Sequence, residues 1–547
     1  MIMKTKFFFL LLLTYFLVIP AQEITGSWKG ELEIQGAKLP LIVHFSKNDS
    51  VYKGTLDSPN QGATGIPMDK VEFNDKKVSF EIKSIGLQYN GTLKDKKVDG
   101  TFSQNGFSTN LSFDFYENKI PTKTVTSLGE NIEPQLNKVN NFLDYLEKNN
   151  MEAGGISIFK NGKEVLKRTF GQKNLPDNNT ENHLFQIGSI TKTFTSVMLH
   201  QLEKEGKLKL SDKLSKYFPD LPNSEKLTLS QLLNHTSGMA DYVKKEEDYF
   251  WLIHPATEKQ IMDNMKSQKL LFEPGISYSY SNSGYYLLTK ILEKVSKKSF
   301  ASNLEKRILK PLKLKNIYSV SHNPNGVYPS FSFENGWNKV EDFDFKNVIG
   351  VGDIASEPTD LNIFITALFE GKILDKSTVE SMKPAKDQKF GSGIATVPFY
   401  NKPFLGHSGG TYGTNSLMIF NAEDNIAISY SLNADRITSN KFITGILSSL
   451  YGLEFEYPDF KNKEISADEL QKFVGEFVSK DIPLDLKFFV ENGVLKAQAT
   501  GQPSFPLDYK GNNEFTFDKI DVKVIFNPEK STLIMEQNGL KYNYTKK

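Results

Sequence analysis

The chain has 547 residues, and at roughly 150 residues per domain this length predicts about three or four domains. Hydrophobic residues make up 39% and charged residues 24%, a balance typical of a globular protein. The formal net charge of +1 gives no electrostatic reason to expect a nucleic acid or another polyanion as partner. The sequence has no cysteine, which excludes disulfides, thiolate metal sites, a cysteine nucleophile and a lipidated N-terminal cysteine.

The N-terminal segment has the pattern of a secretory signal peptide. Two lysines precede an apolar run from Phe7 to Ile19. That run is shorter than the ~20 residues of a membrane-spanning helix, so we expect cleavage after Ala21 rather than an uncleaved anchor. The sequence therefore predicts a periplasmic or extracellular protein, with residues 1–21 as its signal peptide and no membrane span after cleavage.

Two regions of the chain consist of short β-type segments separated by Gly, Asn and Asp turns. The first, residues 22–117, predicts a small antiparallel β-domain, either a barrel or a sandwich. A polar linker, residues 118–134, follows it. The second region, residues 453–547, has turn residues at similar intervals and predicts another small β-barrel domain.

Residues 135–452 show strands first, then helices, then strands again. The dipeptide Asn161-Gly162 favours a two-residue turn and predicts a hairpin near the start of this region. Further strands are predicted in "NSLMIF" and "NIAISYSLN", before a last helix near "NKFITGILSSLYG". This order indicates an α+β domain whose sheet is assembled from both ends of the domain.

Ser189 and Lys192 are the first candidates for catalytic chemistry. A helical pattern of apolar residues follows them, so two residues three apart share a face in the first turn of a helix. The helix dipole and desolvation both favour a neutral lysine, and a neutral Lys192 would act as general base for the Ser189 hydroxyl. The tetrapeptide alone is weak support, because Ser50–Lys53 has the same spacing in a strand-rich region, where the two side chains point to opposite faces.

The second candidate is the segment Tyr280, Ser281 and Asn282. It lies on a loop before a helix that we expect to start at about Gly284, and side chains at such a position can point into a cleft. The structural alternative is that Tyr280 packs as an ordinary aromatic residue and that Asn282 caps the helix.

The third candidate is His407, Ser408 and Gly409. The surrounding Gly406–Gly410 also fits the G-x-S-x-G nucleophile elbow, which requires a helix after the serine and a histidine further along the chain. An alternating β-type segment follows instead, and His407 is the last histidine of the sequence. The elbow interpretation is therefore disfavoured.

The remaining histidines give little indication of chemistry. His235 and Ser237 lie in "LLNHTSG" with no evident partner carboxylate, so a helix end closing at Gly238 is the favoured interpretation. No pair of histidines has His-x-x-x-His spacing, and no metal site is predicted.

Taken in order, Ser189–Lys192, Tyr280–Asn282 and His407–Gly409 resemble the motifs of the serine β-lactamase and penicillin-binding-protein superfamily. The chain looks most like the class C β-lactamase-like serine hydrolases, which include esterases and D-peptidases. The resemblance covers roughly residues 135–452. It implies a β-lactamase/transpeptidase-like catalytic domain, an antiparallel sheet flanked by helices with a helical subdomain, between two small antiparallel β-barrel-like domains.

The resemblance also implies a role for each motif residue. Ser189 would attack an acyl carbonyl and form an acyl-enzyme while Lys192 takes its proton. Tyr280 would relay protons, provided that the positive field of Lys192 and His407 lowers its pKa. Asn282 would hydrogen-bond the substrate and hold Lys192.

The third motif and the backbone complete the implied site. His407, Ser408 and Gly409 would bind the substrate, and the backbone N–H groups of Ser189 and Gly410 would form the oxyanion hole. No cofactor is implied.

One residue departs from the family pattern. His407 replaces the lysine of Lys-Thr-Gly, and an unperturbed histidine is mostly neutral at neutral pH. Esters, amides or D-amino-acid peptides are therefore expected as substrates in preference to β-lactams. The sequence predicts a secreted or periplasmic serine hydrolase acting on a small-molecule or peptide substrate, and the alternative is a penicillin-binding or cell-wall sensor protein with little turnover.

Overall fold

The structure is a computed structural model. It describes residues 23–547 except 35–36, 49–50, 59–62, 84–85, 105–106, 117–124, 177–180, 245–250, 322–325, 335, 386–387, 459–461, 481, 483 and 538–539. The predicted signal peptide and residues 118–124 of the predicted linker lie outside the described residues. No helix in the described ranges is long and apolar enough to cross a membrane. The chain divides into two compact units, Met1–Lys119 and Ile120–Lys547.

The first unit is a nine-stranded antiparallel sheet in the order β4-β3-β2-β1-β9-β8-β7-β6-β5, so its first and last strands pair in the middle. Side chains alternate between core and solvent, as in the buried-exposed pattern of β7. The buried Trp28 and Tyr89 donate hydrogen bonds to backbone carbonyls, which satisfies their polar ends. The strands are β1 Gly26–Ile34, β2 Ala37–Asn48, β3 Val51–Ser58, β4 Ala63–Pro67, β5 Lys70–Asn74, β6 Lys77–Ile82, β7 Leu87–Lys94, β8 Lys97–Gln104 and β9 Phe107–Phe115.

The second unit is built around a sheet whose main path is β11-β10-β20-β19-β18-β17. Its first hairpin turns at Asn161 and Gly162, which have φ angles of 52° and 72°, as a two-residue turn of this type requires. The strands of this part are β10 Glu152–Lys160, β11 Lys163–Phe170, β12 Phe185–Gln186, β13 Ile317–Ser319, β14 Phe331–Phe333, β15 Trp337–Lys339, β16 Ile354–Ser356, β17 Ala395–Val397, β18 Phe404–Gly410, β19 Asn415–Asn421 and β20 Ile426–Asp435.

Helices cover both faces of this sheet. On one face Phe142 and Phe442 join a core with the sheet, and on the other Phe194 stacks on Phe364 at a centroid distance of 3.8 Å. The helices are α1 Glu133–Lys148, α2 Thr191–Lys204, α3 Leu229–Leu233, α4 Glu258–Ser267, α5 Asn282–Ser296, α6 Phe300–Leu304, α7 Lys310–Leu312, α8 Pro358–Phe369, α9 Lys376–Met382, α10 Ser439–Leu450 and α11 Ala467–Leu470. This architecture confirms the predicted α+β class.

The C-terminal part of the second unit is another nine-stranded antiparallel sheet, in the order β24-β23-β22-β21-β29-β28-β27-β26-β25. Like the N-terminal sheet it is barrel-like, and its core is rich in phenylalanine. Ion pairs from Arg436 to Asp508 and from Lys519 to Asp435 join it to the central part. The strands are β21 Gly475–Ser479, β22 Leu486–Glu491, β23 Val494–Ala499, β24 Phe505–Pro506, β25 Asp508–Gly511, β26 Glu514–Phe517, β27 Val522–Asn527, β28 Thr532–Gln537 and β29 Leu540–Lys546.

Candidate active site

Ser189 lies in a single 3-10 turn, Gly188–Ile190, that runs directly into α2. Gly188 has a φ of +48°, and a Cβ at this position would lie 2.6 Å from the Gly410 nitrogen. Only glycine suits both the conformation and the space. The turn therefore lets the end of β18 pack beside Ser189, and it brings together the two residues whose N–H groups the resemblance assigns to the oxyanion hole.

Lys192 is fully buried and contacts Ser189. Its Nζ lies 2.9 Å from Ser189 Oγ and donates to the Val351 carbonyl oxygen at 3.0 Å. Burial lowers the pKa of Lys192 to about 7, against an opposing effect of the Asp241 charge. A large fraction of Lys192 is therefore neutral near pH 7, and the neutral amine has a lone pair that can accept the hydroxyl proton.

The loop from Gly350 to Asp353 presents the Val351 carbonyl to Lys192. The buried Asp353 accepts a hydrogen bond from the Gly350 N–H at 2.7 Å and another from the Ser319 hydroxyl. Burial raises the pKa of Asp353 to about 7, and the Ser319 hydrogen bond opposes this rise. The loop is thus fixed by hydrogen bonds within the protein.

Tyr280 lies next to both catalytic candidates. Lys192 Nζ is 5.1 Å from the centroid of its ring, and the buried Tyr280 hydroxyl makes no hydrogen bond of acceptable geometry to the described residues. Burial raises the pKa of Tyr280, although the nearby Ser189 side chain opposes the rise. The predicted lowering of this pKa is therefore wrong, because desolvation is the largest effect and the charges of the nearby Tyr285 and Asp241 side chains raise the pKa further. Tyr280 is a neutral phenol.

Asn282 is the first residue of α5, two residues before the predicted helix start, and Ser281 rather than Asn282 occupies the N-cap position. The Asn282 amide donates to the Asp241 carboxylate with an Nδ2 to Oδ2 distance of 2.9 Å. Lys192 is hydrogen-bonded to Ser189 and Val351. The Val351 carbonyl, and not Asn282 as predicted, therefore positions the Lys192 amine.

His407 lies on β18 and is buried. Its Nδ1–H donates to the Ser408 carbonyl at 2.5 Å, so in the neutral ring Nε2 is an acceptor, and Nε2 has no partner among the described residues. Burial lowers the pKa of His407 to about 4, with a further lowering by Lys192. The histidine therefore supplies no cation near neutral pH.

Residues 407–410 of β18 pair with β19 on one side, while the pairing of β17 on the other side ends at Gly406, so this part of β18 has an open edge. Ser408 is exposed and Gly409 pairs with Ser416. Strand β18 turns into β19 rather than into the helix that a nucleophile elbow at Ser408 requires. Among the residues that the structure describes, no group of three metal-ligating side chains is placed to hold a metal ion.

Two further residues contact the predicted motif residues, and the sequence analysis assigned no chemistry to either. His235, interpreted as structural, stacks on Tyr280 at 4.2 Å, and its Nδ1 accepts the Ser281 N–H at 3.2 Å. Asp241, which was not considered, contacts Asn282. The position of His235 in "HTSG" was the available signal, whereas Asp241 and Asn282 are 41 residues apart and no local pattern links them.

Burial lowers the pKa of His235 well below its ordinary value, so it is also neutral. Because its Nδ1 accepts a hydrogen bond, its Nε2 carries the proton, and that N–H has no partner in the described part of the protein. Three polar groups around Ser189 and Lys192 are thus unsatisfied: the phenol of Tyr280, the Nε2 acceptor of His407 and the Nε2 donor of His235. Buried polar groups are rarely left unsatisfied, and these three are free to hydrogen-bond a polar ligand.

Comparisons with known proteins agree on the family. The Beta-lactamase family model matches residues 139–442. A teichoic acid D-alanine hydrolase of Staphylococcus aureus (strain MRSA252) is 27% identical over 368 residues, which cover 65% of this chain and 88% of the relative. The structure of D-amino acid amidase from Ochrobactrum anthropi SV3 in complex with L-phenylalanine matches with a TM-score of 0.53 and 25% identity, over 58% of this chain and 98% of that one.

The fold is also shared with a more distant protein. The octameric penicillin-binding protein homologue from Pyrococcus abyssi matches with a TM-score of 0.50 and 22% identity, over 74% of this chain and 99% of that one. The relatives with higher identity are named as hydrolases. Since the family model matches more than half of its residues, the chain belongs to the Beta-lactamase family and is a hydrolase of that family.

Proposed function

We propose that the protein hydrolyses an ester or amide of a D-amino acid through an acyl-enzyme on Ser189. The observation that carries this proposal is the contact of Ser189 Oγ with a buried lysine amine 2.9 Å away whose pKa is about 7. Two relatives, one named a teichoic acid D-alanine hydrolase and the other a D-amino acid amidase, support the D-amino acid as substrate class.

Acylation begins with proton transfer from the Ser189 hydroxyl to the neutral Lys192 amine as Oγ attacks the acyl carbonyl carbon. The negative charge that forms on the carbonyl oxygen is stabilised by the backbone N–H groups of Ser189 and Gly410. Donors of this kind are typically worth about 3 to 4 kcal/mol each. When the intermediate collapses, the bond from the acyl carbon to the leaving group breaks.

Tyr280 acts as the proton relay in this scheme. Because its pKa is raised, it donates a proton as a neutral phenol to the leaving group and regains one from the Lys192 ammonium. In deacylation a water oxygen attacks the acyl carbon, and the water proton passes to Lys192. The bond from the acyl carbon to Ser189 Oγ then breaks, and the Lys192 ammonium returns the proton to Oγ. Each cycle therefore returns Ser189, Lys192 and Tyr280 to their starting protonation states.

The third motif provides one wall of the substrate site. His407 offers a neutral acceptor, and Ser408 and Gly409 contribute the strand edge along which the substrate lies. A neutral histidine gives little stabilisation to a substrate carboxylate. Efficient hydrolysis of β-lactams, which carry such a carboxylate, is therefore not expected.

We propose that the protein is exported to the periplasm or the cell exterior. Residues 1–21 support this proposal, because two lysines precede an apolar run as in a secretory signal peptide. The relative named teichoic acid D-alanine hydrolase supports it as well. The N-terminal sequence of the mature protein tests it. A mature chain that begins directly after Ala21 is expected, and one that retains the N-terminal lysines would contradict it.

A serine-directed phosphonate tests the proposed nucleophile. The wild type and Ser408→Ala should both be labelled at Ser189, and Ser189→Ala should lose labelling and turnover of D-amino-acid esters and amides. Labelling at Ser408 would support the elbow mechanism and refute the proposal. A sensor protein with little turnover would instead accumulate the acyl adduct without releasing product.

A further inference from the structure

Asp241 lies directly behind Asn282, at a position to which the sequence motifs assign no role. Its Oδ2 accepts from Asn282 Nδ2 at 2.9 Å, and its Oδ1 accepts from the backbone N–H groups of Asn282 and Val243, both at 3.2 Å. Asp241 is thus held at the start of α5 by three donors, and both of its oxygens face Asn282.

This contact fixes the orientation of the Asn282 amide. A carboxylate can only accept hydrogen bonds, so the NH₂ group of Asn282 must face Asp241. The Asn282 amide oxygen therefore points away from Asp241. This oxygen can accept a hydrogen bond from a ligand.

The charges around this acceptor favour a cationic ligand group. His407 and His235 are both neutral because burial lowers their pKa values. Burial raises the pKa of Asp241, and the hydrogen bonds from the Val243 N–H and the Asn282 amide oppose this rise and favour the carboxylate. Lys192 loses its charge as the pH rises through its pKa of about 7, so its repulsion of a cation weakens above that pH.

We propose that Asp241 and Asn282 form the specificity element that recognises the α-ammonium group of a D-aminoacyl substrate. The Asn282 amide oxygen accepts a hydrogen bond from the ammonium, and Asp241 supplies the countercharge behind it. The α-carbon is bonded to the carbonyl carbon that Ser189 attacks, and the proposal places the amino group of this α-carbon at Asn282. The substrate class is then acyl donors with a free α-amino group, which excludes N-acylated peptides.

This inference rests on the proposed acyl-enzyme at Ser189, and the test separates the two. The substrates are matched aryl esters of D-alanine, N-acetyl-D-alanine and propionic acid, all assayed at one pH near 7. In the wild type, kcat/KM for the free amine should exceed that for the N-acetyl ester by at least about 10-fold. In Asp241→Asn this ratio should fall by at least about 10-fold, mainly through a higher KM for the free amine.

Asp263→Asn is the matched control. Asp263 is an exposed carboxylate on α4 that pairs with Lys259, and its removal should leave the substrate ratio at the wild-type value. A ratio near one in the wild type, or an unchanged ratio in folded Asp241→Asn, would overturn the proposed recognition while leaving the acyl-enzyme intact.

A measurement on the wild type covers the case in which Asp241→Asn does not fold. An α-aminoethyl phosphonate ester should inactivate the protein at least about 10-fold faster than the ethyl phosphonate that lacks the amine. Equal rates at Ser189 would overturn the recognition of the ammonium group. Failure of both phosphonates to label Ser189 would instead overturn the proposed nucleophile.

Discussion

Replacement of Lys192 by methionine should remove a specific pH dependence of stability. Burial lowers the pKa of Lys192 from 10.5 to about 7 in the folded protein. Each pKa unit corresponds to about 1.4 kcal/mol, so a charged Lys192 destabilises the folded state by about 5 kcal/mol relative to a neutral one. The unfolded chain binds the extra proton between these two pKa values. The contribution of Lys192 to the free energy of unfolding of the wild type therefore rises with pH above 7, by about 1.4 kcal/mol per pH unit. Below pH 7 the whole destabilisation by the charged lysine is present.

Urea unfolding from pH 6 to pH 9 measures this effect. Trp28 is the one tryptophan of the first unit, so in a Trp28→Phe background fluorescence reports on Trp251 and Trp337 of the second. The free energy of unfolding of the parent minus that of Lys192→Met should rise by about 2 kcal/mol between pH 7 and pH 9. Ser189→Ala, which keeps the lysine, should follow the parent. A difference that does not change with pH would refute the buried, weakly basic lysine.

Three further predictions concern catalysis. For an ester without ionisable groups, kcat/KM should rise with an apparent pKa of about 7, because the neutral form of Lys192 is the base; a flat profile from pH 5 to pH 8 would argue against that role. Tyr280→Phe should lower kcat by about 10²- to 10⁴-fold with unchanged stability, and near-normal turnover would exclude the proton relay. His407→Lys should increase turnover of carboxylate-bearing substrates relative to neutral esters, because it introduces the cation that the neutral histidine lacks; an unchanged ratio of the two rates would contradict the recognition argument.

Local patterns in the sequence were sufficient to predict the scaffold of the site. The hairpin at Asn161 and Gly162 depends on residues that tolerate positive φ, and it is confirmed. The spacing of Ser189 and Lys192 places both on one face of a helical turn, and the structure brings their side chains to 2.9 Å. These features depend on residues close together in the chain, where periodicity and turn chemistry are informative.

The electrostatics of the site could not be predicted in the same way. The pKa values of Tyr280 and His407 are set mainly by burial, which results from packing among α2, β18 and the loops that carry Tyr280 and His235. The orientation of Asn282 depends on Asp241, which comes from a different loop. Both effects arise from contacts between distant segments, so a single sequence shows the residues but not the environment that determines their chemistry.

The most direct test of the central claim is mass spectrometry of the protein quenched during turnover of a D-alanyl ester. We expect a D-alanyl adduct on the peptide that contains Ser189 in the wild type, and none in Ser189→Ala, which should also release no D-alanine. An adduct on another residue, or D-alanine release that persists in Ser189→Ala, would contradict the acyl-enzyme mechanism.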